Sequence, residues 1–376
     1  MANPVVLHIT NDYLGSSVYR ELYIELSKRG VKQLVYCPMR MPWKNKIPAS
    51  NELPYEIVYS NMLKSYHRVF FSKKIRFLYK DIEEKISFSR VAYIHASTLF
   101  SDGALAYLLH KRYGIPYIVT VRNTDLNLFI KFMCHLRPLG LKILRGARKA
   151  VLISPAYKRR LIESSFLKNY LSTIEHKLEV IPNGINISWI KNPYPQKPNV
   201  SSPVQLLFVG KSTRLKNLDK LVRAVAELYK ENYRCVLNIV GGNPADRKFS
   251  QLIDRHSFVK YHGKIHDRKK LRELMRTCDI FTMPSKRETF GLVYLEALTQ
   301  GLPVVYTKNE GIDGLFDATI GEAVNPNDVS CIKEGIKKVI DHYNRYNFDQ
   351  QKIIDNYNWE KISQIYVEIY KSDLKR

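Results

Sequence analysis

Residues 278–305 read CDIFTMPSKRETFGLVYLEALTQGLPVV and predict one strand–loop–helix–strand unit. The apolar run at 280–283 ends at Pro284, which is typical of the end of a strand. An amphipathic helix follows the charged loop and must stop near Gly301, after which Val304 begins a second strand. Because a helix that joins two strands sets them parallel in one sheet, the stretch predicts an α/β protein.

Two glutamates give this unit its chemical character. Glu288 lies in the loop at the carboxyl end of the first strand, where open α/β sheets bind ligands. Thr289 can cap the helix, and an anion can then bind the N–H groups of the first turn, at Phe290, Gly291 and Leu292. Glu296 lies about one turn further along the same face, where it can reach a ribose diol. Taken alone, both glutamates are better explained as solvated surface residues.

The complete string resembles the E-x7-E signature of the retaining glycosyltransferases of family 4. The match includes PS at 284–285, ETFGL at 288–292, LEAL at 295–298 and GLPVV at 301–305. Membership of that family implies the GT-B fold, in which two Rossmann-like β/α/β domains face a central cleft. It also implies that this segment binds a nucleotide-sugar donor, with Glu288 near the sugar hydroxyls and Glu296 on the ribose.

A second part of the resemblance follows another predicted strand. Residues 210–217 read GKSTRLKN, where family 4 usually has G-R-L-x-x-x-K-G. The resemblance places Gly210, Lys211 and Lys216 at the donor diphosphate, and Asn217 replaces the last glycine. A lysine still neutralises phosphate as a point charge, although it lacks the two-pronged fork of arginine. Without the E-x7-E segment, this stretch would be an ordinary solvated loop.

The turn HGKI at 262–265 resembles the base-binding turn of the family. Backbone groups around Ile265 would meet the base, and a UDP-sugar is the favoured donor. Lys211, Lys216 and the helix N-terminus at 290–292 would stabilise the charge that grows on the departing diphosphate. No D-x-D sequence fits a metal–diphosphate site, so we expect no metal and no other cofactor.

The first part of the chain carries a weaker resemblance. A predicted strand at 5–9 leads to a helix whose N-terminus has Gly15 and Ser16. Family 4 places such a loop against the donor phosphate and the acceptor. A simple strand-to-helix turn explains the same residues equally well.

Four polar residues, RNTD at 122–125, follow the predicted strand 117–121, at a point where many family members have a histidine. We expect Arg122 to meet a phosphate, and Asn123 or Asp125 to orient the sugar or the acceptor. A polar loop that caps the next helix is the alternative for each of them.

The distribution of charge points to a partner of opposite sign. The net charge is +25, of which residues 1–184 carry +16 (29 Lys and Arg, 13 Asp and Glu). Basic and aromatic residues alternate in 60–90, and a second basic cluster spans 131–160. These segments predict contact with an anionic membrane surface, with a core-facing helix and a solvated basic edge as the alternative for 60–90. No nucleic-acid-binding signature accompanies the charge, so we expect no nucleic-acid partner.

The remaining features indicate a cytoplasmic protein, peripheral on the cytoplasmic face of a membrane. No apolar run is long enough to span a bilayer, and the first residues lack the features of a signal peptide. The five cysteines are widely separated and show no metal-binding spacing.

The sequence therefore predicts four segments: an acceptor-side domain 1–185, a proline-containing linker 186–203, a donor-binding domain 204–357 and a terminal helix 358–376 that packs on the first domain. The predicted function is transfer of a sugar to a glycan or lipid-linked glycan, in capsule, exopolysaccharide or lipopolysaccharide assembly. A related nucleotide-sugar epimerase and a non-enzymatic basic protein that binds membranes or nucleic acid are the alternatives.

Overall fold

The computed structural model describes residues 5–40 and 52–374. They belong to two compact units. The first unit comprises Met1–Ile153, Lys158–Gly184 and Trp359–Arg376, and the second comprises Ser154–Tyr157 and Ile185–Asn358. The predicted linker 186–203 lies within the second unit, where it contains a short helix.

The first unit is built on a seven-stranded parallel sheet. Its strands are β1 Val5–Ile9, β2 Lys32–Arg40, β3 Glu56–Leu63, β4 Val91–Ala96, β5 Tyr117–Val121, β6 Lys149–Leu152 and β7 Leu178–Val180. Its helices, apart from the last helix of the chain, are α1 Ser17–Lys28, α2 Phe71–Lys85, α3 Ser101–Tyr113, α4 Arg137–Gly146 and α6 Leu171–Ile174. Helix α5 Pro155–Ile162 belongs to this unit from Lys158 onwards. The strand order β3-β2-β1-β4-β5-β6-β7 reverses direction between β1 and β4. This reversal is the Rossmann-type switch point, beside which ligands bind.

The second unit repeats this plan with six parallel strands in the order β10-β9-β8-β11-β12-β13. The strands are β8 Val204–Gly210, β9 Cys235–Gly241, β10 Val259–Tyr261, β11 Ile280–Thr282, β12 Val304–Thr307 and β13 Gly321–Val324. The helices are α7 Ile187–Ile190, α8 Leu218–Lys230, α9 Arg247–Asp254, α10 Arg268–Thr277, α11 Leu292–Thr299, α12 Val329–Asp341 and α13 Gln350–Asn356. Here the switch point falls between β8 and β11. The two Rossmann-like sheets are those predicted from the sequence.

The last helix, α14 Trp359–Leu374, belongs to the first unit. Its aromatic residues join the core formed with α1, and the Trp359 indole donates to Glu21 Oε2 at 2.7 Å. Arg29 Nε also donates to the Ser363 hydroxyl at 2.8 Å. The end of the chain is therefore part of the first core, although 174 residues of the second unit (Ile185–Asn358) precede it.

Two buried histidines lie side by side close to α14. The ring centroids of His8 and His95 are 5.4 Å apart. His95 Nδ1 lies 2.8 Å from the Tyr370 hydroxyl, and Nε2 lies 3.2 Å from Thr120 Oγ1. Burial lowers the pKa of both imidazoles, and burial together with the Arg122 charge lowers that of His95 to about 3. The folded unit therefore holds His95 neutral at any ordinary pH.

We predict that His95 makes the fold sensitive to acid. Between pH 6.5 and about 3 the unfolded chain binds a proton at this histidine that the folded chain does not, so stability falls as the pH falls. The slope is at most about 1.4 kcal/mol per pH unit. Burial raises the pKa of Asp102 to about 7 and of Asp125 to about 6, and these carboxyls act in the opposite direction.

The contribution of His95 is therefore best measured as a difference. Urea titrations at pH 7.5, 6.5 and 5.5 should be made on the wild type and on His95→Gln. Below pH 6.5 the unfolding free energy of the wild type should fall more steeply than that of the variant. Any constant effect of the substitution on packing cancels in this comparison. Parallel stability curves over that pH range would show that His95 titrates normally.

Candidate active site

The predicted donor residues meet at the carboxyl edge of the second sheet. Strands β8 and β11 are paired neighbours, with Ile280 opposite Leu206 and Phe281 opposite Leu207. The loop after β8 contains the GKSTRLKN segment, and the loop after β11 contains the first half of E-x7-E. The sheet topology therefore brings together two motifs that are some 70 residues apart in sequence.

Three contacts join these two loops. The Lys286 N–H donates to the Leu215 carbonyl at 2.8 Å. The Asn217 side-chain amide donates to the Pro284 carbonyl at 3.0 Å. The Lys216 ammonium donates to Glu288 Oε2 at 2.5 Å, and both side chains are largely buried, at 24% and 12% exposed. The lysine and the glutamate predicted to bind the donor are therefore in direct contact.

Asn217 stands where the resemblance expects glycine, and the backbone explains the substitution. Asn217 has φ +61° and ψ +29°, a left-handed conformation in which asparagine is tolerated better than most residues. Its buried amide also donates to the Pro326 carbonyl at 2.7 Å. Asparagine thus suits this left-handed position, and its amide links the loop to two others.

Helix α11 begins at Leu292, and Gly291 rather than Thr289 is its N-cap residue. This corrects the predicted cap by two residues. Gly291 has φ +77°, and a Cβ there would come within 2.5 Å of the Tyr294 ring and 3.0 Å of Glu288 Cγ. Only glycine fits this turn without displacement. Because a helix has no internal acceptors for its first N–H groups, those of Leu292 and Val293 remain available to an anion.

The side chains of the helix N-terminus have different environments. Phe290 is buried at 2% exposed, so its side chain belongs to the core. The Tyr294 hydroxyl donates to the Met283 carbonyl and closes the loop. Burial raises the pKa of Tyr294, and the charges of Glu288 and Glu310 raise it further. Glu296 lies one turn inside the helix and is half-buried.

Glu310 is a site residue that the sequence did not suggest. It is 9% exposed, and its carboxylate accepts the backbone N–H of Glu288 at 3.0 Å. The neighbouring Gly311 N–H donates to the Glu288 carbonyl at 2.9 Å. The loop after β12 therefore holds both backbone groups of Glu288. In the sequence, Glu310 is an acidic residue between Asn309 and Gly311 in the loop after a strand. This pattern is too common to identify Glu310 as a site residue.

The other predicted donor residues lie around this group. Lys211 is exposed directly after β8, and within the described residues its ammonium makes no hydrogen bond or ion pair. Gly210 ends β8, and its carbonyl accepts the Gly242 N–H at 3.0 Å. Ile265 is half-buried in the loop after β10. His262 Nε2 lies 2.8 Å from Asn238 Oδ1, and burial lowers the pKa of His262, which supports a structural role.

In the first unit, Gly15 and Ser16 precede α1 as predicted, but an acidic side chain lies beside them. A Cβ on Gly15 would come 2.2 Å from Asp12 Oδ1. Ser16 caps α1 by accepting the Val18 N–H at 3.4 Å. A carboxylate therefore lies beside Gly15, and the Ser16 hydroxyl caps the helix. This arrangement favours the simple strand-to-helix turn over the predicted phosphate contact.

A cavity of about 310 Å³ opens beside this turn. Its lining includes Asp12, Gly15, Arg40 and Lys74. The Lys74 ammonium donates to the Ser101 hydroxyl at 2.9 Å, and burial lowers the pKa of Lys74. The cavity thus combines cationic and anionic side chains at the carboxyl edge of the first sheet.

Asp125 is buried and has a structural role. It is 1% exposed, and its carboxylate accepts the backbone N–H groups of Leu99, Phe100 and Arg122 at 3.0, 3.1 and 2.8 Å. With both oxygens committed to backbone N–H groups, Asp125 holds the start of α3, which precedes it in the chain, rather than the next helix given as the alternative or the predicted sugar or acceptor. The Arg122 guanidinium lies 5.2 Å from the Tyr19 ring centroid and donates to the Ser97 carbonyl. Asn123 accepts from the Asn127 amide.

The described residues include no group of three His, Cys, Asp or Glu side chains placed to hold a metal ion. Among the helices of that same part of the chain, none combines the length and the apolar character needed to cross a bilayer.

Two Rossmann-like parallel sheets define the GT-B class of fold. The family model of group 1 glycosyl transferases matches residues 191–358, and the model of glycosyltransferase family 4 matches residues 15–189. Between them the two models account for nearly all of both units. The chain therefore belongs to the family 4, or group 1, glycosyltransferases, which are transferase enzymes.

Individual relatives are distant. An uncharacterized glycosyltransferase of Methanocaldococcus jannaschii is 30% identical over 219 residues, which is 53% of this chain and 55% of that protein. The alpha-monoglucosyldiacylglycerol synthase of Acholeplasma laidlawii is 25% identical over 329 residues, 79% of this chain and 78% of that protein. The sucrose-phosphate synthase of Thermosynechococcus elongatus superposes with a TM-score of 0.75 at 17% identity, over 98% of this chain and 99% of that one. The last likeness shows the fold alone.

We predict that Glu310 matters for turnover because it fixes the backbone of Glu288. Glu310→Ala should lower transfer by roughly tenfold to a hundredfold, the effect expected from losing one charge-assisted hydrogen bond. Glu310→Gln keeps an acceptor oxygen at the same distance and should retain most of the activity. Initial rates and calorimetry with a nucleoside diphosphate separate turnover from binding, which should be little changed. Equal activity of the Ala and Gln variants would show that the hydrogen bond from the Glu288 N–H to Glu310 does not contribute to turnover.

Proposed function

We propose that the protein transfers a sugar from a nucleotide-sugar to an acceptor hydroxyl, with retention of configuration at the anomeric carbon. The observation that carries the proposal is the Lys216–Glu288 pair at the switch point of the second sheet, beside the N-terminus of α11. A cation and free N–H groups suit a diphosphate, while a carboxylate suits sugar hydroxyls. Both chemistries therefore lie within one site.

The ion pair also suggests how the donor enters. Without a ligand, Lys216 and Glu288 neutralise each other. A donor diphosphate would take Lys216, and the sugar hydroxyls would take Glu288, so that neither charge is left buried and unpaired. As the glycosidic bond breaks, negative charge grows on the diphosphate. Lys216, Lys211 and the start of α11 would stabilise that charge in place.

The acceptor in this proposal is a glycan or lipid-linked glycan at a membrane, as in capsule, exopolysaccharide or lipopolysaccharide assembly. The basic, aromatic first half of the chain supports it. The name of one relative, alpha-monoglucosyldiacylglycerol synthase, gives a glycolipid as the product of that protein. The corresponding location is peripheral, on the cytoplasmic face of a membrane.

A thermal-shift screen with UDP-, GDP- and dTDP-sugars tests the donor class directly. A ligand at a hundred times its Kd stabilises the protein by about 2.7 kcal/mol. We expect a UDP-sugar to give the largest shift. Incubation with the donor alone, followed by product analysis, separates a transferase from an epimerase, because only an epimerase changes the sugar configuration without an acceptor.

The two glutamates should have separable roles. Glu296→Ala should weaken binding of the bare nucleoside diphosphate by about 1.5–3 kcal/mol, the value for hydrogen bonds to a charged group. Glu288→Gln should leave that affinity unchanged or make it tighter, because Lys216 no longer has to leave a carboxylate, and it should strongly depress transfer. Calorimetry and turnover for both variants measure the difference. If both variants bind and turn over like the wild type, neither glutamate contacts the donor.

Donor cleavage should depend on lysine rather than on a divalent metal. Lys211→Ala and Lys216→Ala should each lower turnover by roughly 10²–10³, the range for losing a preorganised charge-stabilising group. Lys230→Ala, at the exposed far end of α8, is the matched control for net charge and should be inert. EDTA should leave the wild-type rate unchanged. Loss of activity in EDTA that Mg²⁺ or Mn²⁺ restores would contradict the proposal.

A further inference from the structure

Several large apolar side chains of the first unit are exposed in two neighbouring segments. Val69 and Phe70, just before α2, are 72% and 50% exposed. Leu128 and Phe132, in the segment after β5, are 46% and 64% exposed. We call these four residues the apolar patch. Single exposed apolar residues are ordinary, but a group of them marks an interaction surface.

Ring packing brings the two segments together. Phe71, the first residue of α2, is buried, and its ring centroid lies 5.6 Å from that of Phe129. The Phe129 ring in turn stacks on Phe100 at 4.8 Å. Phe70 and Leu128 are the chain neighbours of Phe71 and Phe129. The inner rings therefore hold the segments side by side, while their neighbours are left in solvent.

A lysine accompanies each exposed ring. Lys73 Nζ lies 5.1 Å from the ring centroid of Phe70, and Lys131 Nζ lies 5.4 Å from that of Phe132. An apolar ring with an ammonium beside it matches the boundary of a bilayer, where the ring meets acyl chains and the cation meets headgroup phosphates. The same arrangement occurs in each of the two segments.

The surrounding charge favours an anionic partner. Residues 64–80 contain six Lys and Arg and no Asp or Glu, and residues 126–149 also contain six and none. Such segments are attracted to anionic lipid. Single-stranded nucleic acid is also anionic and stacks on aromatic rings. Val69 and Leu128 have no ring on which a base could stack, however, and this favours a lipid partner.

We propose that the apolar patch inserts into the interfacial layer of an anionic bilayer, with Lys73 and Lys131 at the headgroup phosphates. The choice of a lipid partner rests on the proposed function, because a membrane-borne acceptor requires the enzyme at a bilayer surface. The inference differs from attraction by charge alone, since it assigns the persistent contact to four apolar side chains.

Vesicle co-sedimentation of the full chain tests the proposal. The vesicles are phosphatidylcholine with or without phosphatidylglycerol. Phe70→Ser/Phe132→Ser should weaken partition into the anionic vesicles by roughly tenfold or more, because two large apolar side chains leave the bilayer. Leu108→Ser/Ile187→Ser removes two other exposed apolar side chains, 36% and 56% exposed, and should bind like the wild type. Wild-type binding should persist in part at high salt, since insertion is not screened.

A direct readout of depth accompanies the binding assay. Phe132→Trp should gain fluorescence quenching by brominated phospholipids over the wild-type background, which a lysine-only contact would not produce. Circular dichroism and melting temperature confirm that each variant is folded. Unchanged binding of the double serine variant, or binding that salt abolishes completely, would overturn insertion. Binding to single-stranded DNA but not to vesicles would overturn it as well, as would a self-association that the serine variant dissolves.

The test is independent of the donor site. Calorimetry with UDP measures the proposed function without lipid, and co-sedimentation measures the patch without a donor. Vesicle binding without nucleotide binding would contradict the proposed function and leave the patch intact. Nucleotide binding without vesicle insertion would contradict the insertion of the apolar patch and leave the proposed function intact.

Discussion

The pairing of Lys216 with Glu288 is the contact around which the second unit is arranged. Loops that follow β8, β11 and β12 converge on it, and each is tied to the next through backbone groups: Lys286 N–H to the Leu215 carbonyl, and Gly311 N–H to the Glu288 carbonyl. A partly buried ion pair contributes little net stability, because desolvation offsets most of the attraction. The pair instead holds two opposite charges in one place. A ligand with phosphate and hydroxyl groups can then replace Glu288 at Lys216 and Lys216 at Glu288.

Positive φ angles make this convergence possible. Asn217 and Gly291 both have left-handed backbones, and each stands immediately before a helix, α8 and α11 respectively. The turn at Gly291 begins α11, and at the other turn the side-chain amide of Asn217 donates to the Pro284 and Pro326 carbonyls. Because most side chains are strained in this conformation, the two turns limit what residues the site accepts.

The sequence predicted the local units of the site better than their contacts. The strand, loop and helix of residues 278–305 follow from the spacing of apolar residues and from proline and glycine, and the structure has β11, α11 and β12 there. The contact between Glu310 and Glu288 depends on the pairing of β11 with β12, in which Thr282 lies opposite Val305. No local pattern encodes that partnership, so Glu310 was missed.

Burial was equally inaccessible to sequence reasoning. Asp125 follows a strand and resembles a ligand-facing residue, but it is buried and committed to backbone N–H groups. Phe70 and Phe71 are neighbouring residues of the same type, but Phe70 is 50% exposed and Phe71 is 7% exposed. Alternating basic and aromatic residues predicted a membrane-facing segment. Only the packing of Phe71 on Phe129 shows which rings are left outside.

Burial also changes the electrostatics of the first unit. Asp81, Asp102 and Asp125 are each at most 3% exposed, so three of the thirteen acidic residues in 1–184 are removed from the surface. Burial raises the pKa of Asp102 to about 7 and that of Asp125 to about 6, so these two are only partly charged near neutral pH. Asp81 stays ionised, since Lys85, Ser60 and Tyr36 hold its pKa below the usual value despite burial, but its charge is neutralised by Lys85 at 2.7 Å. Partial protonation of Asp102 and Asp125 makes the charge of this unit more positive than the residue count indicates. The Asp81–Lys85 pair contributes no net charge, and the lowered pKa of Lys74 acts in the opposite direction.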